Sequence, residues 1–287
     1  MVINQNTKIN SSELRDILNS HRNTVIKLDK RMIEDDINKL KQRLVKDNLS
    51  KISIKNINSI IQYLDKLMKI KADDEGYISM RWKLDAFGRV SSSPVKLRKF
   101  SDYGIDAVDY ISISDTRTII SVEYTDLMNC MALEISKEDF GVDLNEIDKQ
   151  LGSILAISDV EKLKEMGLLH NMYRTLLSAK VNNSGYKSID DGELYSYFGN
   201  RVDSSKGYRG MIEDSMQTAL QVIISNQIPR FIRGNTIKAS IISISEDRIA
   251  YAVPVQYLKE VEEVLQESII TRVIGRKFEI KPEIKVY

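Results

Sequence analysis

Apolar residues recur at two distinct periods along this chain. Ile33, Ile37, Leu40 and Leu44 follow one another at helical spacing, which predicts one amphipathic helix from about Asp29 to Lys46. Ile57, Ile60, Ile61, Leu64, Leu67 and Met68 predict a second helix, stopped by the turn-forming run Asp73-Asp74-Glu75-Gly76. The first third therefore reads as helical. From Tyr77 the period shortens. Tyr77 to Leu84 reads as a strand, and Gly88 to Pro94 is too rich in Gly, Ser and Pro to continue it. Thr118 to Val122 is a β-branched strand running into Glu123, and Leu127, Met131 and Ile135 predict a helix just after it. Further helices fit 143–156, 168–181 and 209–228. The last has Met211, Ile212, Met216, Ala219, Leu220, Ile223 and Ile224 on its apolar side, and Pro229 is expected to end it. Residues 237–253 predict a hairpin with Ser245-Glu246-Asp247 at its turn. Pro254 should open a helix carrying Val255, Leu258, Val261, Val264 and Leu265, and 273–280 and 283–287 close the chain as strands. Helices first and then strands mixed with helices indicate an α+β fold.

Charge changes this picture. The 287 residues carry 42 basic and 41 acidic side chains, but the near-neutral total conceals a split. Residues 1–100 hold 21 basic and 12 acidic residues, a net +9, whereas 101–170 hold 5 and 15, a net −10. A basic segment beside an acidic one can bind a polyanion on one side and concentrate carboxylates on the other; the alternative is two solvated faces. The lone Cys130 excludes an intramolecular disulfide, and two histidines, His21 and His170, argue against a zinc site. No apolar run is long enough to span a membrane and the N-terminus has no apolar signal region, so the expected compartment is the cytoplasm.

Candidate chemistry concentrates at two acidic positions. Glu123 ends an apolar strand, and Glu246 and Asp247 occupy the tip of an apolar hairpin. If these strands share a sheet, the carboxylates converge on one edge. Neighbouring carboxylates are what a two-metal phosphoryl-transfer site requires, and Mg²⁺ or Mn²⁺ takes such hard oxygen donors. Acids at strand ends and in turns are also ordinary solvated residues.

The order of segments resembles the polymerase domain of family A DNA polymerases. Ile60-Ile61-Gln62-Tyr63-Leu64-Asp65-Lys66-Leu67 is similar to the family's thumb helix. Gly88-Arg89-Val90-Ser91-Ser92-Ser93-Pro94 is similar to "TGRxSSxxPNLQ", and Ile119 to Leu127 to motif A, "LLSADYSQIELR". Ala179-Lys180-Val181-Asn182-Asn183-Ser184-Gly185 resembles the fingers pattern "AKxxNFG", Met216-Gln217 the "IQGxAAD" helix, and Ile244 to Ile249 motif C, "VHDELV". The likeness runs from about residue 55 to the C-terminus. It implies a palm built on an antiparallel sheet, helical fingers and a reduced helical thumb. The corresponding division is a thumb-like region at 1–76, palm at 77–165, fingers-like helices at 166–235, and palm again at 236–287.

The resemblance also implies roles. Glu123, Glu246 and Asp247 would hold Mg²⁺ or Mn²⁺, and Lys180 would neutralise triphosphate charge. Arg174, Asn183, Tyr186 and Met128 would line the nucleotide pocket, with Arg89, Ser91, Ser92 and Gln217 touching primer–template DNA. Several positions depart from the family. Both metal-binding aspartates are glutamates, and an extra methylene that displaces a carboxylate by ~1 Å can cost about a hundredfold in rate. The sugar-gating glutamate is Met128, Leu176 stands where an arginine is usual, and Ser184 replaces a base-packing aromatic. Two functions follow from different classes. One is a compact template-directed nucleotidyltransferase of DNA replication, using nucleoside triphosphates; the other is a polymerase-like DNA-binding or replication-accessory protein without catalysis. Either version is expected to work with a second protein subunit and without a membrane.

Overall fold

The apolar run Ile119-Ile120-Ser121-Val122 alternates between two buried surfaces, because the strand that carries it lies inside the molecule with both faces covered. The computed structural model describes residues 1–3, 9–20, 25–46, 49–85, 88–124, 127, 194–196, 198–202, 207–233, 236–245, 247–273 and 276–287. The first half contains β1 (Val2–Ile3), α1 (Ser11–Ser20), β2 (Val25–Leu28), α2 (Lys30–Lys46), α3 (Lys51–Met68), β3 (Ile78–Ser79), β4 (Arg81–Leu84), β5 (Val90–Ser93), β6 (Lys99–Phe100), β7 (Ile105–Asp106), β8 (Ile111–Ser112) and β9 (Arg117–Glu123). After them come β10 (Leu194–Tyr195), β11 (Arg201–Val202), α4 (Gly207–Phe231), β12 (Ile232–Arg233), β13 (Thr236–Ile237), β14 (Ser240–Ser245) and β15 (Arg248–Pro254). The chain closes with α5 (Leu258–Leu265), β16 (Ile269–Val273), β17 (Arg276–Ile280) and β18 (Glu283–Val286). The fold is α+β, as the order of elements indicates.

The central sheet has the order β14-β15-β9-β18 and is antiparallel throughout. Its strands alternate between two apolar clusters. Ile120, Val122, Ile249, Tyr251 and Val253 share one cluster with Leu14 and Leu18 of α1, Leu220 and Ile224 of α4, and Val261 and Leu265 of α5. Ile119, Ala250 and Ala252 share the other with Ile33, Ile37 and Leu40 of α2 and with Ile57, Ile60, Leu64 and Leu67 of α3. Full burial of each such aliphatic side chain contributes about 1.5–3 kcal/mol, which is why the two periodic helices pack where they do.

Helix starts follow local capping chemistry. The Asp29 carboxylate accepts from the Met32 N–H at 3.0 Å, and Ser50 Oγ accepts from the Ser53 N–H at 3.1 Å. The second cap starts α3 at Lys51, well before Ile57, the first strongly periodic residue.

Several expectations are corrected by pairing and packing. Residues 77–84 split into β3, which pairs with β2, and β4, which pairs with β5. The Ser-rich segment at 88–94 holds strand β5, because the sequence Val90-Ser91-Ser92-Ser93 alternates buried and half-buried side chains opposite β4. Helix α4 runs past Pro229 to Phe231. One lost backbone hydrogen bond is outweighed there by burial of Ile228 and Phe231, the latter edge-on to Tyr251 at 5.8 Å. Pro254 ends β15 instead of opening a helix, and a 3₁₀ turn at Val255–Tyr257 precedes α5. The helical first third also contains β1 and β2. Strand β1 pairs in parallel with β16, itself a strand outside the predicted set. The helices expected at 143–156 and 168–181 lie outside the described residues.

Candidate functional site

The C-terminal end of β9 lies against the tip of the β14–β15 hairpin. Glu123 is the register partner of Arg248 on one side and of Glu283 on the other. The Tyr124 N–H donates to the Asp247 carbonyl at 2.7 Å, which ties the strand end to the hairpin turn. The condition posed by the sequence is therefore met: the strands bearing the candidate acids are neighbours in one sheet. Glu246 lies outside the described residues, as do Met128, Arg174, Lys180, Asn183 and Tyr186.

A second, shorter strand pair covers this sheet edge. Strands β6 and β7 are antiparallel, and Lys99 is opposite Asp106 in their register. Each acid of one strand pair binds the base of the other. Lys99 Nζ donates to both carboxylate oxygens of Glu123, at 2.6 and 2.8 Å. Arg248 Nη1 donates to both oxygens of Asp106, at 2.7 and 2.6 Å, while its Nη2 donates to the Leu97 carbonyl at 3.1 Å. Two crossed ion pairs thus clamp β6–β7 onto β9–β15.

The two pairs differ in solvent access. The side chains of Arg248 and Asp106 are 3% and 10% exposed, whereas those of Lys99 and Glu123 are 40% and 18% exposed. Burial pushes the Asp106 carboxyl upward, but the Arg248 guanidinium outweighs it with help from the Val108 N–H and the Tyr287 hydroxyl. The result lies below the ordinary carboxylate value. The same burial, with the nearby Asp106 charge, pushes the Tyr287 hydroxyl up.

The residues expected to touch DNA are placed as follows. Arg89 is 14% exposed and bound between carboxylates, with Nε donating to Asp85 at 2.8 Å and Nη1 to the fully buried Asp214 of α4 at 3.1 Å. It fastens the β4–β5 turn to α4. Burial raises the Asp214 carboxyl, against the opposing pull of Ser196, Arg89 and Asn200. Ser92 faces inward, its hydroxyl donating to the Val95 carbonyl at 2.8 Å and lying 3.4 Å from that of Ser243. Ser91 and Gln217 are half-buried, on β5 and α4 respectively.

Lys96 and Lys99 are exposed on the segment leading into β6, and the Arg98 guanidinium between them lies 5.4 Å from the centre of the Phe100 ring. This basic stretch runs beside Glu123. Lys99, Asp106, Arg248 and Glu283 escaped the sequence reading because each acquires its partner only through strand pairing between distant segments. Arg248 carried the one available signal, as a charged residue opening an otherwise apolar hairpin arm.

Among the described residues no three His, Cys, Asp or Glu side chains cluster as a metal site. The donors nearest to such a role are Glu123 and its register neighbour Glu283, whose Cβ atoms are about 5 Å apart by the geometry of antiparallel pairs. Both offer hard oxygen, which suits Mg²⁺ or Mn²⁺, and Mg²⁺ commonly takes only one or two carboxylates. The donor chemistry therefore fits.

No protein-family model matches the chain, and no curated protein matches its sequence. Its fold is similar to that of the POL domain of Pol1 from M. smegmatis, solved in complex with DNA primer-template and dNTP. The TM-score is 0.52 at 13% identity, over 95% of this chain and 68% of that one. The motif resemblance thus extends, distantly, to the fold. Among the described residues no helix is long and apolar enough to cross a membrane.

Proposed function

We propose that this chain engages primer–template DNA and nucleoside triphosphates on a polymerase-type scaffold and carries out template-directed nucleotidyl transfer in DNA replication. The observation that supports this most is the placement of Glu123. It ends the central strand beside the hairpin tip, in a chain folded like a polymerase domain that was solved with primer-template and dNTP. The division into a thumb-like part at 1–76, palm at 77–165 and 236–287, and fingers at 166–235 belongs to this proposal.

In this reading the primer 3′-hydroxyl releases its proton to water, its oxygen bonds to the α-phosphorus of the triphosphate, and the bond to pyrophosphate breaks. Glu123 and Glu246 hold a divalent cation, with Asp247 beside them. A cation held by these residues would supply charge to activate the hydroxyl and stabilise the departing pyrophosphate. Lys180 and Arg174 bind the triphosphate, while Asn183, Tyr186 and Met128 shape the nucleotide pocket. The basic stretch Lys96-Leu97-Arg98-Lys99 offers phosphate contacts next to Glu123. Extension of a primed template in Mg²⁺ or Mn²⁺, abolished by Glu123→Ala, is the expected result. No product with either metal at high protein concentration overturns catalysis.

A non-catalytic DNA-binding protein is the second reading. It is favoured by the engagement of both Glu123 carboxylate oxygens with Lys99. It expects salt-dependent DNA binding whose affinity is unchanged by Glu123→Ala.

A further inference from the structure

We infer that Lys99 is a built-in counter-ion at Glu123, which a divalent cation must displace before the carboxylate can serve as its ligand. This inference rests on the proposed role of Glu123. The Lys99 ammonium sits 2.6 and 2.8 Å from the two carboxylate oxygens, the bidentate seat that a bound cation would take. Its presence there follows from register. Lys99 is opposite Asp106 in the β6–β7 pair, and Asp106 is held by the buried Arg248, which is itself opposite Glu123 in the β9–β15 pair. Three fixed relations therefore deliver the fourth contact, and the lysine is directed to this carboxylate by the clamp that holds the strands together.

The physical consequence is competition. A cation approaching Glu123 meets a carboxylate already neutralised on both oxygens and a neighbouring positive charge that repels it. The pair is nevertheless exchangeable, because Lys99 is 40% exposed on a flexible stem and its ammonium is readily rehydrated. Arg248 cannot follow, since it is buried against Asp106 and the Leu97 carbonyl. Lys99 therefore sets how tightly the site takes a divalent ion and leaves the fold in place when it moves.

Mn²⁺ binding to the full chain, followed by electron paramagnetic resonance of the free ion without DNA or nucleotide, tests this. Lys99→Gln is expected to tighten Mn²⁺ binding about tenfold, the loss of a partly exposed ion pair together with a repelling charge. Lys99→Arg, which keeps the charge and can bind the carboxylate through two donors, is expected to bind no more tightly than the unaltered chain. The gain in Lys99→Gln should vanish in the double variant with Glu123→Gln. Unchanged or weaker Mn²⁺ binding in Lys99→Gln overturns the inference, as does a gain that survives loss of the Glu123 charge. Should Lys99→Gln fail to fold, tighter Mn²⁺ binding by Lys99→Arg also overturns it. Primer extension separates the two proposals. Tighter Mn²⁺ binding without extension sinks catalysis and leaves the counter-ion role. Extension by the unaltered chain with Mn²⁺ affinity unchanged in Lys99→Gln does the reverse.

Discussion

The two ion pairs that clamp β6–β7 to the central sheet use the same chemistry in two environments. Arg248 and Asp106 are removed from water and meet through both carboxylate oxygens, with the Leu97 carbonyl accepting from Arg248 and the Tyr287 hydroxyl donating to Asp106. Lys99 and Glu123 meet at the rim, where solvent screens their attraction and competes for both partners. The inner pair is consequently a fixed part of the core, and the outer pair is an exchangeable contact at the edge where the candidate chemistry lies. Depth in the protein, and not the identity of the charged groups, separates a fixed pair from one open to solvent.

The largest expected effect breaks the inner pair. Arg248→Ala strands a buried carboxylate and leaves the Leu97 carbonyl with the Ser245 hydroxyl as its remaining side-chain donor, and is expected to lower stability by about 3–5 kcal/mol. Urea denaturation at neutral pH measures this. A loss below about 1 kcal/mol would mean that the two pairs do not differ as their burial implies.

Acid sharpens the same contrast. The folded-state Asp106 carboxyl titrates below its ordinary value of 3.8, so its contribution to stability is present above that value and is lost as pH falls through the lower folded one. Asp214 has the opposite sign. Its raised value favours the protonated form in the folded state, so acidification through its window relieves a cost that is present at neutral pH. Denaturant midpoints between pH 5 and 2 should therefore fall in the unaltered chain and fall less in Asp106→Asn, which begins from a lower stability. Equal slopes in the two proteins would assign the acid sensitivity elsewhere.

The smallest effect belongs to the outer pair. Lys99→Gln is expected to cost under about 1 kcal/mol in the same denaturation experiment. A cost as large as that of Arg248→Ala would make Lys99 a structural residue and remove the distinction between rim and core.

Much of the framework was legible along the chain. The 3.6-residue spacing of Ile33, Ile37, Leu40 and of Ile57 to Leu67 marked α2 and α3, because a helix exposes one stripe and buries the other wherever it packs. The β-branched runs ending at Glu123 and flanking residues 245–247 marked β9 and the β14–β15 hairpin, which are neighbours in one sheet. Strand β5 was not legible, since three serines carry turn-like composition and become a strand only opposite Trp82 and its neighbours. Nor was the use of Arg89, whose buried partner Asp214 is 125 residues away.

By itself the sequence determined what is local or periodic: two amphipathic helices, the apolar hairpin, the basic segment at 1–100 beside the acidic one at 101–170, and the presence of carboxylates at strand ends. Tertiary structure decided which distant segments meet. It set β1 beside β16 and Lys99 over Glu123, and it buried Arg248 against Asp106 while leaving Lys99 at the rim. The physical reason is that register and burial are properties of pairs of segments. A one-residue shift of β6 against β7 would leave every local pattern intact, yet turn Lys99 to the opposite face and away from Glu123.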